Sequence, residues 1–180
     1  MVATRKINQA DFLLPPKALT RLNTFTQLQE LDLRYLDVGE LVLGLHQRCD
    51  TFRSTVRTLA LRYPTGSVKR ILCFISLFSK LENLTVDSIN KVDTYDSQVP
   101  VIECPPSLTG RLSLSGISDQ EFICYLTSMQ KGVRFRTVDL RFCHEVQEII
   151  DCCAGTMERL IWHPSDFLGA LNSMFQSGGV

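Results

Sequence analysis

Six short segments of the chain repeat one pattern: LQELDLRYL (28–36), VRTLALRYP (56–64), LENLTVDSI (81–89), TGRLSLSGI (109–117), FRTVDLRFC (135–143) and MERLIWHPS (157–165). Each centres on apolar-x-apolar, and five of the six carry another apolar residue three positions earlier; the fourth has Thr109 there, with Leu108 beside it. The central anchors are Leu31, Leu59, Leu84, Leu112, Val138 and Leu160, at spacings of 28, 25, 28, 26 and 22 residues. Side chains alternate along a strand, so apolar-x-apolar sends two anchors to the same side. A strand that returns at near-constant intervals can stack on its predecessor, each layer burying the apolar surface its neighbour leaves open.

A period of this length belongs to leucine-rich repeats. The expected fold is therefore α/β: a leucine-rich repeat solenoid with a curved parallel sheet of about six short strands and helices on the convex face. The return segments agree. Val68, Ile71, Leu72, Ile75 and Phe78 follow helical spacing. Ser118 to Glu121 reads as a capping box opening a helix with Phe122, Leu126 and Met129 on one face. Val146, Ile149, Ile150 and Cys153 give a third helix, Phe167, Leu168, Leu171, Met174 and Phe175 a last one, and Leu41, Val42, Leu45 and Cys49 one after the first strand. The stretch 90–107, NKVDTYDSQVPVIECPPS, has three prolines and no helical period, which predicts an extended loop. Residues 1–24 form an irregular capping segment in this reading, and 25–180 the repeat domain. Trp162, Leu168 and Leu171 are expected to leave apolar surface open near the end.

The formal net charge is zero, so no overall field favours nucleic acid or an anionic membrane. No apolar run approaches the roughly 20 residues of a membrane span, and the N-terminus lacks a secretory signal. The expectation is a chain of the cytosol or nucleus, with its seven cysteines as reduced thiols. Asn83-Leu84-Thr85 is then a coincidental glycosylation sequon.

Cys143 beside His144 suggests a nucleophile with its base, or half of a metal site. The repeat supplies another explanation: Cys143 sits three residues after Leu140, where such repeats place Asn or Cys facing inward. The other repeats hold Leu36, Pro64, Ile89, Ile117 and Ser165 there. Cys152 and Cys153, as helix neighbours, point roughly 100° apart and do not easily share a metal with Cys143 and His144. His163, Ser165 and Asp166 crowd into four positions without a nucleophile elbow. P-loop and dinucleotide motifs are lacking. No enzyme activity, cofactor or metal is expected.

Function is expected on the strand positions that face away from the anchors. One column reads Arg34, Arg62, Asp87, Ser115, Arg141, His163; the column between the anchors reads Asp32, Ala60, Thr85, Ser113, Asp139, Ile161; the outermost reads Glu30, Thr58, Asn83, Arg111, Thr137, Arg159. Six strands about 4.8 Å apart make a platform about 24 Å long. Tyr35, Tyr63 and Phe142 follow the arginines in LRY, LRY and LRF, and arginine with tyrosine favours protein interfaces. The candidate partner-binding residues are Asp32, Arg34, Tyr35, Arg62, Tyr63, Asp87, Arg141, Phe142 and His163. The competing reading pairs Asp32 and Asp139 with the arginines as a solvated ladder.

The rhythm LxxLxLxxC-xxI-x-DxxL, clearest in FRTVDLRFCHEVQEIIDCCAGTMERLIW, resembles the cysteine-containing class of leucine-rich repeat. Over about residues 20–175, with LALRYP, FISLFSKLENLTVDSI and the proline-rich loop, the chain resembles the repeat region of F-box-like proteins of mushroom-forming fungi. That resemblance implies the substrate-recognition part of a cullin-RING (SCF) ubiquitin-ligase receptor, in which an F-box docks on a Skp1-type adaptor and the repeats hold the protein target. FLLPPKALTRL (12–22) echoes the F-box opening, but the first repeat follows directly. No F-box is expected within this chain, and a Skp1-type adaptor is a partner only if an F-box exists outside it. The alternative is a stand-alone scaffold with no ligase link.

Overall fold

The structure, a computed structural model, describes residues 6–8, 26–38, 53–91, 108–128, 133–143 and 146–163. Five-residue strands form wherever the repeat places apolar-x-apolar: β2 (Glu30–Arg34), β3 (Thr58–Arg62), β5 (Asn83–Asp87), β7 (Arg111–Ser115), β8 (Thr137–Arg141) and β9 (Arg159–His163). A three-residue strand, β1 (Lys6–Asn8), precedes them inside the segment expected to be irregular. Among the described residues the sheet has seven strands in the order β1-β2-β3-β5-β7-β8-β9, every neighbouring pair parallel. Chain order and spatial order coincide, so each strand is added to the same growing edge.

The register is unbroken. Leu31 lies opposite Leu59, Leu59 opposite Leu84, Leu84 opposite Leu112, Leu112 opposite Val138 and Val138 opposite Leu160. A one-residue slip between any two strands would turn a whole apolar set outward, and the anchors prevent it. From Leu31 to Val138 the anchors are buried in one continuous core with Leu33, Leu61, Val86, Leu114 and Leu140 from the same strands. At β9 the row runs out of cover: Leu160 is 41% exposed and Trp162 56%.

Among the described residues, three helices cross over between strands and close the core from one side. They are α1 (Val68–Ser76), α2 (Gln120–Thr127) and α3 (Gln147–Cys153). Each packs beside the next. Val68, Ile71, Leu72, Ile75 and Phe78 are all buried, and Phe74 meets Phe78 edge-on at 5.3 Å. Ser67 caps α1, its hydroxyl accepting from the Arg70 N–H at 3.4 Å. The cap of α2 is Asp119, whose carboxylate accepts from the Glu121 N–H at 2.9 Å, and not Ser118 as the capping-box spacing suggested. The cause is that Asp119 has the extended backbone a cap requires, with the helix starting one residue later. Among the described residues no helix is long and apolar enough to cross a membrane.

Asn90–Lys91, placed at the start of an extended loop by the sequence, forms a short strand (β6) parallel to β4 (Thr65–Gly66). The rest of that loop, the expected helices at 41–49 and 167–175, Met129, His144, Ser165 and Asp166 lie outside the described residues.

Candidate interaction face

Alternation sends the anchors into the core and every other strand residue to the opposite face, away from the three described helices. The three columns expected there are the ones observed. Arg34 lies opposite Arg62, Arg62 opposite Asp87, Asp87 opposite Ser115, Ser115 opposite Arg141 and Arg141 opposite His163. The column from Asp32 to Ile161 holds the same register, as does the column from Glu30 to Arg159 except between Asn83 and Arg111, where the Arg111 N–H goes to the Asn83 side chain.

Across the middle of this face runs an open trough of about 550 Å³. Its floor is small and hydroxylated: Thr85, Ser113 and Ser115. Longer side chains stand on either side, Arg62 with Asp87 on one and Arg111, Asp139 and Arg141 on the other. The trough exists because β5 and β7 carry short residues where the flanking strands carry arginines. Asn83 stitches its upper end, donating to the Thr58 hydroxyl at 3.2 Å and accepting from the Arg111 N–H at 2.8 Å. That approach requires Gly110, where a Cβ would come within 2.3 Å of the Asn83 amide oxygen.

The arginines are held by aspartates. On the β2 side, Asp32 lies 3.3 Å from Arg62 Nε and 3.7 Å from Arg34 Nε, and Arg62 reaches on to Asp87 at 2.9 Å. Arg34 Nε is buried without a hydrogen bond. The β8 side is tighter. Asp139 receives Arg141 through Nε at 3.0 Å and Nη2 at 3.1 Å, and Arg111 through Nη2 at 2.6 Å. Asp139 is 0% exposed, while the two arginine side chains over it remain about half exposed. The Arg141 hydrogen bonds hold the Asp139 carboxyl below its usual range despite burial, with Arg111 adding to the effect. The same contact raises the Arg141 guanidinium. The ladder of aspartates and arginines weighed from the sequence is present, but at Asp139 it is buried and not solvated.

The aromatic residues sit at the rim where the strands end, and their backbone is unusual. Tyr35, Tyr63, Ser88, Gly116 and Phe142, each one residue past its strand, all have left-handed φ between 45° and 63°. In this conformation each N–H donates to the last carbonyl of the next strand: Tyr35 to Arg62, Tyr63 to Asp87, Ser88 to Ser115 and Gly116 to Arg141 at 2.8 Å, and Phe142 to His163 at 3.0 Å. Non-glycine residues adopt left-handed φ at a cost of roughly 1–2 kcal/mol; here the repeated inter-strand hydrogen bond offsets it. Tyr35 and Tyr63 stack, ring centroids 5.1 Å apart and 9° from parallel, and both are exposed. Phe142 is exposed too but stands three strands beyond Tyr63, with Ser88 and Gly116 between, about 14 Å away at strand spacing. The three aromatics therefore share a rim but do not form one patch.

Of the nine residues singled out from the sequence, Asp32, Arg34, Arg62, Asp87 and Arg141 lie in the two ion-paired groups, Tyr35 and Tyr63 stack beside the first, and Phe142 and exposed His163 stand toward the β9 end. Arg111, Asp139 and the hydroxyl floor complete the site and were not singled out, although each stands in the columns. Their signal was the run of small residues in β5 and β7 between arginine-bearing strands.

Cys143 is buried at its turn, its thiol donating to the Arg141 carbonyl at 3.4 Å, and burial pushes that thiol up. A thiol so held is a poor nucleophile, in keeping with the inward position the repeat assigns it. Cys152 is exposed and Cys153 buried, so the two face apart. Among the described residues no three histidine, cysteine or acidic side chains gather as a metal site would require. Compared with known proteins, the chain matches no family model, no curated protein and no solved structure.

Proposed function

We propose that the chain is a leucine-rich repeat solenoid working as a protein-interaction module, with the face of its sheet away from the three described helices as the binding surface. The observation that carries this is the trough with its walls of pre-set arginines. Arg62, Arg111 and Arg141 already have their positions fixed by Asp32, Asp87 and Asp139, so little side-chain freedom is lost when a partner arrives. Exposed Tyr35 and Tyr63, stacked at one rim, add a rigid apolar surface of the kind that anchors protein interfaces. The resemblance of the repeats to F-box-like proteins extends the reading to target recognition for ubiquitination, the chemistry being carried by other subunits.

The face is tested by selecting peptides from a random displayed library on the full chain, then counter-screening against Ser113→Trp, which fills the trough floor. Binders that the tryptophan blocks support the reading. Binders indifferent to it, or blocked only by Tyr125→Ala on the exposed side of α2, overturn it. The ligase link is tested separately: affinity purification of the full gene product from its own cells should bring a Skp1-type adaptor with it.

A further inference from the structure

Among the described side chains, the open face is electrically lopsided. On β2, β3 and β5 it carries Glu30, Asp32 and Asp87 against Arg34 and Arg62, one negative charge in excess. On β7, β8 and β9 it carries Arg111, Arg141 and Arg159 against Asp139 alone, two positive charges in excess before His163 is counted. The difference is one of geometry as well as of number. Both Arg111 and Arg141 place an Nη2 on the same oxygen of Asp139, at 2.6 and 3.1 Å, so their guanidinium groups stand side by side. One buried carboxylate cannot neutralise two cations, and Asp87 across the trough acts on Arg141 as a minor, through-space influence only. The outer N–H groups of both arginines remain in the open, beside the hydroxyls of Ser113 and Ser115.

We infer that Arg111 and Arg141, braced by Asp139, form a clamp for an anionic side chain of a bound peptide, and that the bound partner lies with its acidic residue over β7 and β8. The inference rests on the interaction reading above. It adds the chemical class of the partner, an acidic peptide, and its placement on the face. A planar guanidinium offers two parallel N–H donors to a carboxylate or a phosphate, and two guanidiniums already oriented by a third group lose little freedom on capturing it. The Ser113 and Ser115 hydroxyls can donate to the remaining oxygens. The other half of the trough, where Arg62 is divided between Asp32 and Asp87, has no surplus charge to offer. Carboxylate and phosphate present the same chemistry to this clamp, so aspartate or glutamate and a phosphorylated residue are the two sources to separate.

The probes are fluorescein-labelled octaglutamate, a Gly-Ser octapeptide with one central phosphoserine, the same peptide unphosphorylated, and a single-stranded oligouridylate, titrated against the full chain by anisotropy at low and at physiological salt. Octaglutamate or the phosphopeptide is expected to bind with an affinity that falls as salt rises; which binds tighter identifies the source. The unphosphorylated peptide is expected not to bind. Arg111→Gln/Arg141→Gln alone would strand a buried carboxylate, so the variant used adds Asp139→Asn, and circular dichroism checks that it folds. It should weaken binding at least tenfold, whereas Lys69→Gln, which removes an exposed cation on α1 that does not line the trough, should change it less than twofold. Ser113→Glu, which supplies a carboxylate in place, should abolish binding on an otherwise intact clamp. Equal binding by the triple variant, a larger loss from Lys69→Gln, or tighter binding of the oligouridylate than of either acidic peptide overturns the clamp. If no acidic probe binds while the random library still yields peptides blocked by Ser113→Trp, the clamp falls and the interaction face stands. If that library yields none, both fall.

Discussion

The unbroken row of anchors makes one substitution informative at two places. Leu84 is 0% exposed and lies between Leu59 and Leu112 in the middle of the sheet. Leu84→Ala removes the equivalent of about three methylenes from full burial, about 2.4 kcal/mol at about 0.8 kcal/mol each. The layers above and below are held by their own hydrogen bonds and cannot collapse into the space, so a cavity contribution of about 1–2 kcal/mol is added. The expected cost is about 3.5–4.5 kcal/mol, a large part of the 5–15 kcal/mol typical of a domain. Leu160 stands in the same row but is 41% exposed on the last described strand. There the transfer contribution falls to about 1.4 kcal/mol, and water replaces the lost atoms, so no cavity forms. Urea unfolding should be followed by far-ultraviolet circular dichroism, which reports the whole fold, and by fluorescence of Trp162, the chain's single tryptophan, which reports the β9 end. Leu84→Ala should shift the main dichroism transition by at least twice as much as Leu160→Ala, and Leu160→Ala should act mostly on the Trp162 signal. Equal losses at the two positions would refute layered burial as the source of stability. So would a Leu84→Ala cost below about 1 kcal/mol.

Three further outcomes follow from the site and its turns. Asp139, held below the usual carboxyl range by Arg141 and Arg111, contributes stability that is complete above the unfolded carboxyl value of about 3.9 and is lost as pH falls through its folded value. Asp139→Asn should therefore cost about 1–3 kcal/mol at neutral pH and progressively less in acid, measured by urea midpoints across the pH range; a gap that widens in acid would reverse the assigned sign. Gly116→Ala meets both a left-handed φ of 63° and the Ser88 hydroxyl at 2.6 Å, so it should lower stability by about 1–2 kcal/mol. Part of that loss should be recovered in a Ser88→Ala background, and purely additive midpoints would show that the contact does not matter. Under iodoacetamide, exposed Cys152 should be alkylated before buried Cys143, read site by site by mass spectrometry; rapid labelling of Cys143 in the folded protein would restore the nucleophile reading.

The parallel sheet, its register and all three face columns were legible in the sequence because alternation and period are properties of the chain itself. Knowing that Leu31 and Leu59 are equivalent fixes Arg34 opposite Arg62 with no further information. What could not be read was depth. Asp139 occupies an outward position, yet it is buried because Arg141 on its own strand and Arg111 on the neighbouring one fold over it. Exposure on such a face is set by the length of neighbouring side chains, not by the residue's own alternation. The left-handed turns were hidden for a different reason. Tyr35, Tyr63 and Phe142 carried an aromatic signal that pointed to binding, while the residue that marked the backbone requirement, Gly116, stood alone among five equivalent positions. The strand β1 was missed because KIN has only one apolar residue and none of the repeat's spacing. The start of the proline-rich loop, which pairs as β6, is two residues long and leaves no pattern.

The unbroken register also sets a mismatch of rulers. Columns on the open face recur about every 4.8 Å across the strands, whereas an extended peptide laid across them presents same-side residues about every 6.8 Å. The two scales part by nearly half a step at the first residue pair, return to within about 1 Å at the third column, and coincide fully only after about seven columns. A crossing peptide therefore falls into step with this surface at every third column and not at neighbouring ones. Such a face reads a few widely spaced anchors and gains little from a ligand that repeats at every residue pair.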